Sequence, residues 1–168
     1  MIFKMQRGDL MNRLEELHQE AKDENIDVID FDFNSKRIKG LYCDGTIALK
    51  ANIETTKEKA CILSEELGHY HTTVGNILDQ RKTENRKQEL RARGWAYNKM
   101  IGLIGLVNSY EHGCRTLHDT ADYLNVTEEF LAEALDYYKK KYGICTTVDN
   151  YVVYFEPVLG VGKITESI

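Results

Sequence analysis

Residues 38–59 restrict the fold more than any other stretch. Residues 38–43 and 46–50 flank Asp44-Gly45, a two-residue turn that closes a hairpin because glycine readily takes the positive φ required. Thr55-Thr56-Lys57-Glu58 follows, and Thr55 with Glu58 makes a capping-box pattern that satisfies free amides at a helix start. The helix is expected to run through Ala60, Leu63 and Leu67 to Tyr70 or His71, with Gly75 and Asn76 at its exit. Upstream, Leu10, Leu14, Leu17 and Ala21 recur at helical spacing, and residues 26–33 alternate as a strand does, Val28 and Asp30 against Ile29 and Phe31. A small antiparallel sheet therefore leads into a helix.

Downstream, residues 81–93 are highly charged and then give way to Trp95, Ala96, Met100, Leu103 and Val107, which reads as one long helix stopped by Gly113. Residues 116–124 and 127–138 form a helical pair around Asn125-Val126, and residues 151–155 form a strand that Pro157 ends. The class is α+β: a mostly helical domain with a small antiparallel sheet and a C-terminal helical pair plus strand. Residues 1–110 are expected to form the core, with 111–168 packed on it as one unit. A chain of 168 residues buries roughly 70% of its unfolded surface and needs no disulfide staples. The net charge of −5 argues against a general binder of nucleic acid or membrane surfaces. No apolar run reaches the roughly 20 residues that span a bilayer. Cys43, Cys61, Cys114 and Cys145 form no C-x-x-C pair, and no signal sequence is expected. A cytoplasmic protein with reduced thiols is expected, each cysteine serving as a small buried apolar residue.

The chemistry concentrates in Glu65-Glu66-Leu67-Gly68-His69. This is a zinc-protease helix motif, His-Glu-x-x-His, with glutamate in place of its first histidine. Glu65 and His69, four residues apart, share a helix face and can share an ion. Glu66 lies about 100° around the helix, within reach of a water on that ion. The ion lowers the water's pKa toward about 7, and the carboxylate takes its proton and delivers it to the leaving amine. Gly68 lets another segment approach. The best third ligand is Glu89, which opens a Glu-x-x-Ala-x-x-Trp-Ala pattern whose small Ala92 and Ala96 permit close packing on the motif helix. His71 competes for that role, roughly 200° from His69 if the helix continues.

Glu65-Glu66-Leu67-Gly68-His69-Tyr70 after a hairpin, followed by Glu89 through Ala96 with Trp95, resembles the ImmA/IrrE metallopeptidase family of phages and mobile elements. The resemblance spans roughly residues 25–140 and implies a zincin-like fold. It further implies Glu66 as general base, His69 and Glu89 as ligands, and Glu65 at the place of the first histidine. Zn2+ is the implied ion, with Mn2+ or Fe2+ as alternatives. A second anionic ligand makes a bound water a weaker acid than two imidazoles would. The implied activity is endoproteolysis of a transcriptional repressor in the bacterial cytosol. The alternative is an inactive relative that binds such a partner without cutting it. The strand over 46–50 is expected to border the cleft and pair with an extended substrate.

Other candidates are weaker. Glu15-x-x-His18 and Glu66-x-x-His69 match the spacing of di-iron bundles, but a hairpin lies between them. His112 and His118 read as surface or capping residues. Residues 116–138 resemble a helix-turn-helix, yet Glu128, Glu129, Glu133 and Asp136 at the second helix would repel phosphates, so no direct nucleic-acid partner is expected. The run of arginines and lysines over 81–93 reads as a solvated face. Tyr70, Tyr97 and Tyr110 are candidates for stabilising an oxyanion, with nothing to choose among them.

Overall fold

The computed structural model describes residues 12–72 and 83–165, so Leu10, Gly75, Asn76 and Arg81 lie outside the described residues. Helix α1 (Arg13–Asp23) opens on a reciprocal cap. The Glu15 amide donates to the Asn12 side chain at 3.0 Å, and the Asn12 amide donates to the Glu15 carboxylate at 2.9 Å. Glu15 is thereby committed to a helix end rather than to an ion.

The first sheet holds β1 (Asp27–Phe31), β2 (Gly40–Cys43) and β3 (Thr46–Lys50) in the order β1-β3-β2. Asp44 and Gly45 have φ of 45° and 78°, as the expected turn requires. The hairpin is antiparallel, and β1 joins β3 in parallel. Ile47 and Leu49 of β3 are buried, while Ile29 and Phe31 of β1 face outward. The strand over 46–50 is therefore the centre of its sheet, paired on both sides. This corrects its expected place at the cleft, which β2 occupies instead.

Helix α2 (Thr56–Thr72) is the core of the molecule, with Ala60 through Ser64, Leu67 and Gly68 all buried. Thr55 Oγ1 accepts the Glu58 amide at 3.1 Å, making half of the expected box. The Glu58 carboxylate instead accepts from Lys39 Nζ at 2.7 Å, clasping α2 to the start of β2.

The long helix expected after residue 81 is two helices, α3 (Thr83–Met100) and α4 (Gly102–His112). Gly102 at φ +61° is left-handed, a conformation through which an α-helix cannot continue. Helix α3 lies against α2 at unusually short range. A Cβ on Gly68 would collide with the Ala92 carbonyl oxygen, which bears out the packing expected of Gly68 and Ala92.

Helix α5 (Leu117–Leu124) ends on left-handed Asn125, and α6 (Glu128–Tyr142) starts on Thr127, whose side chain accepts the Phe130 amide at 3.1 Å. Helix α6 continues past residue 138 through Lys139-Lys140-Lys141, which suit the negative end of the helix dipole. The expected C-terminal strand is the centre of a second, antiparallel sheet: β4 (Cys145–Val148), β5 (Tyr151–Tyr154) and β6 (Gly160–Lys163). The two glycines of β6 give it almost no strand signature of its own. Of the four cysteines only Cys61 is buried, where the sequence led us to expect all four. The fold is α+β. Among the described residues no helix is long and apolar enough to cross a membrane.

Candidate functional site

A cleft of about 1270 Å³ opens between β2, α2, α3 and the start of α6. Glu65, Glu66 and His69 line it from α2, Glu89 and Arg93 from α3, and Glu129, Phe130 and Glu133 from α6. Its opposite lip is the hairpin, from Lys39 through Asp44.

Helix α2 is pressed against β2 because Gly40 has no side chain. A Cβ there would lie 2.7 Å from both Glu66 Oε1 and Ile62 Cγ2. The approach lets the Tyr42 amide donate to Glu66 Oε2 at 2.8 Å. The Tyr42 amide points away from β3, since the neighbouring ladder contact runs from the Lys50 amide to the Lys39 carbonyl at 2.8 Å. Burial pushes the Glu66 carboxyl up to about 7, against the pull of nearby His69. A carboxyl tuned there can both accept and release a proton near neutral pH.

The close contact of α2 and α3 brings His69 and Glu89 together, with Nε2 and Oε2 3.2 Å apart. Hydrogen bonding to His69 holds Glu89 below the usual carboxylate range. Burial alone would lower the His69 pKa, but Glu89 and Glu66 outweigh it and raise it. Glu65 is driven up by burial, with Glu133 and Glu89 adding to the rise and Arg93 opposing it. Three of the four sequence candidates thus share α2, and the fourth, Glu89, reaches His69 from α3.

His71 lies elsewhere. Its ring stacks on Trp95 at 4.6 Å, and its Nε2 is 3.5 Å from Glu20 on α1. Of the tyrosines, Tyr70 donates to Glu24 at 3.1 Å and Tyr110 lies under the Arg115 guanidinium. Tyr97 alone of the three joins the cleft network, donating to Glu133 Oε2 at 3.1 Å. His118 pairs with Glu128 at 2.8 Å on the surface, and His112 packs on Tyr123.

Sequence reasoning missed Arg93 and Glu133. Arg93 Nε donates to Glu89 Oε1 at 3.0 Å, and its Nη1 lies 3.4 Å from Glu133 Oε2. The first of these was readable, because Arg93 is four residues from Glu89 and shares its helix face. The second was not, since Glu133 is 40 residues away.

The donor set suits a divalent ion. One imidazole nitrogen and two carboxylates are acceptable to zinc, manganese or iron. The 3.2 Å between His69 Nε2 and Glu89 Oε2 compares with roughly 3.3 Å between two ligands of a tetrahedral ion with bonds of about 2.0 Å. Among the described residues, no three His, Cys, Asp or Glu side chains are already gathered for an ion.

An α+β domain that sets two carboxylates and an imidazole on one helix, across a cleft from a strand edge, has the layout of a metallopeptidase-like domain. The family model described as the IrrE N-terminal-like domain, Peptidase_M78, matches residues 21–136, well over half of the chain. The chain belongs to that metallopeptidase family, which supports a metallopeptidase-like role and suggests a metal cofactor. No curated protein and no solved structure matches.

Proposed function

We propose that the chain is a metal-dependent endopeptidase that cuts a transcriptional repressor of a phage or other mobile element in the bacterial cytosol. The observation that carries the reading is the His69–Glu89 pair, 3.2 Å apart, on the cleft that Glu65 and Glu66 also line. Glu65, His69 and Glu89 would hold the ion, Zn2+ first and Mn2+ or Fe2+ otherwise. When bound, that ion supplies Lewis acidity to the scissile carbonyl and to the attacking water. Glu66, oriented by the Tyr42 amide on Oε2, takes the water's proton and then delivers it to the leaving amine. The outer edge of β2 accepts the substrate in extended form by strand addition.

A second reading is that the cleft binds the repressor without cutting it. It is favoured by the absence, among the described residues, of three gathered donors. Metal analysis of the purified protein, with a cleavage assay on co-expressed repressors, separates the two. Fragments that vanish in Glu66→Gln support the peptidase. Binding that survives chelation with no fragment formed would sink it in favour of the binding module.

A further inference from the structure

Glu65 brings to the site a negative charge that the imidazole of the usual motif lacks. A compensating charge stands on the facing helix. Arg93 donates to Glu89 Oε1 at 3.0 Å and lies 3.4 Å from Glu133. Glu65 lines the same cleft, and its charge acts on the guanidinium together with that of the bonded partner Glu89. The fork thus contacts two carboxylates, Glu89 and Glu133, and shares the cleft with a third, Glu65; Glu65 and Glu89 are candidate metal ligands.

We propose that Arg93 is the resident cation of this site, and that a divalent ion and the Arg93 guanidinium compete for the carboxylates of Glu65 and Glu89. The inference rests on the metallopeptidase reading for the identity of the ligands. Both cations draw on the same negative charge, so whichever occupies the cleft lowers the attraction for the other. An arginine cannot relieve the contest by losing its proton. It can only move, and Glu133, braced by Tyr97 at 3.1 Å, is the carboxylate placed to receive it. Ion loading would then shift the guanidinium from α3's own Glu89 onto α6, tightening the wall of the cleft.

The test is the affinity of the full chain for Zn2+ and Mn2+, titrated against a chelator dye at pH 7.5. Arg93→Gln removes the charge and keeps a polar side chain, and it is expected to bind the ion about tenfold more tightly than the parent. Arg93→Lys keeps the charge and should stay within about threefold of the parent, which also controls for folding. Equal affinity in Arg93→Gln and the parent, or weaker affinity in Arg93→Gln, overturns the proposal. So does a gain in Arg93→Lys as large as that in Arg93→Gln, because the fork's geometry rather than its charge would then be responsible. An ion bound by Arg93→Gln and not by the parent supports the competition while defeating the peptidase reading. Binding by neither defeats both.

Discussion

Burial holds the Glu66 carboxyl at about 7, against 4.5 for the unperturbed group. Between those values the folded chain binds more protons than the unfolded chain. This contribution to stability is complete below about 4.5 and is lost as pH rises through about 7. Glu66→Gln keeps an oxygen for the Tyr42 amide and abolishes the titration. With chelator present, the variant should melt a few degrees above the parent at pH 8, and the gap should shrink through pH 5 and close below about 4.5. A pH-independent gap in differential scanning calorimetry would show that the carboxyl is not raised. The histidines divide just as sharply. His69→Ala should remove bound metal, whereas His71→Ala should retain most of it, because His71 stacks on Trp95 and faces Glu20. Metal content by mass spectrometry decides, and loss in the second variant would move the ligand set to His71.

At the scale of elements, the site depends on how closely α3 lies against α2. Gly68→Ala places a methyl group against the Ala92 carbonyl oxygen. The helices must separate, at a cost of roughly 1–3 kcal/mol for overpacking, and Glu89 should withdraw from His69. Both the melting temperature and the metal affinity should fall. A stable variant with unchanged affinity would mean that the helix contact does not set the ligand spacing. What the sequence disclosed and what it hid divide along this same line. The Asp44-Gly45 turn, the Thr55 cap and the Gly113 stop are readable because each is decided by a few neighbouring residues. The break at Gly102 was hidden because an apolar run masks a single left-handed glycine. Arg93 was lost in a charged run that looks solvated, and only the arrival of α6 gives it Glu133. Strands β4 and β6 were hidden because Cys145-Thr146-Thr147 and the glycines of β6 form strands only when β5 lies between them.

At the scale of the whole molecule, the cleft joins segments far apart in the chain. Phe130 on α6 is almost fully buried and meets the Tyr97 ring edge-on at 5.1 Å. Phe130→Ala should cost roughly 3–5 kcal/mol, lowering the melting temperature by about 2–4 °C for each kcal/mol. If the peptidase reading holds, KM should also rise, because one wall loosens. A variant that melts lower but keeps its KM would separate that wall from substrate binding. The other wall has a consequence of its own. Along the rim of β2 the amide of Tyr42 is already engaged by Glu66. A guest peptide laid there finds a gap in its ladder at that rung, so its carbonyl at that rung is left without a strand partner. That orphaned carbonyl is the one nearest Glu66, and the register of the guest, and with it the bond exposed to attack, would be chosen by a single missing rung.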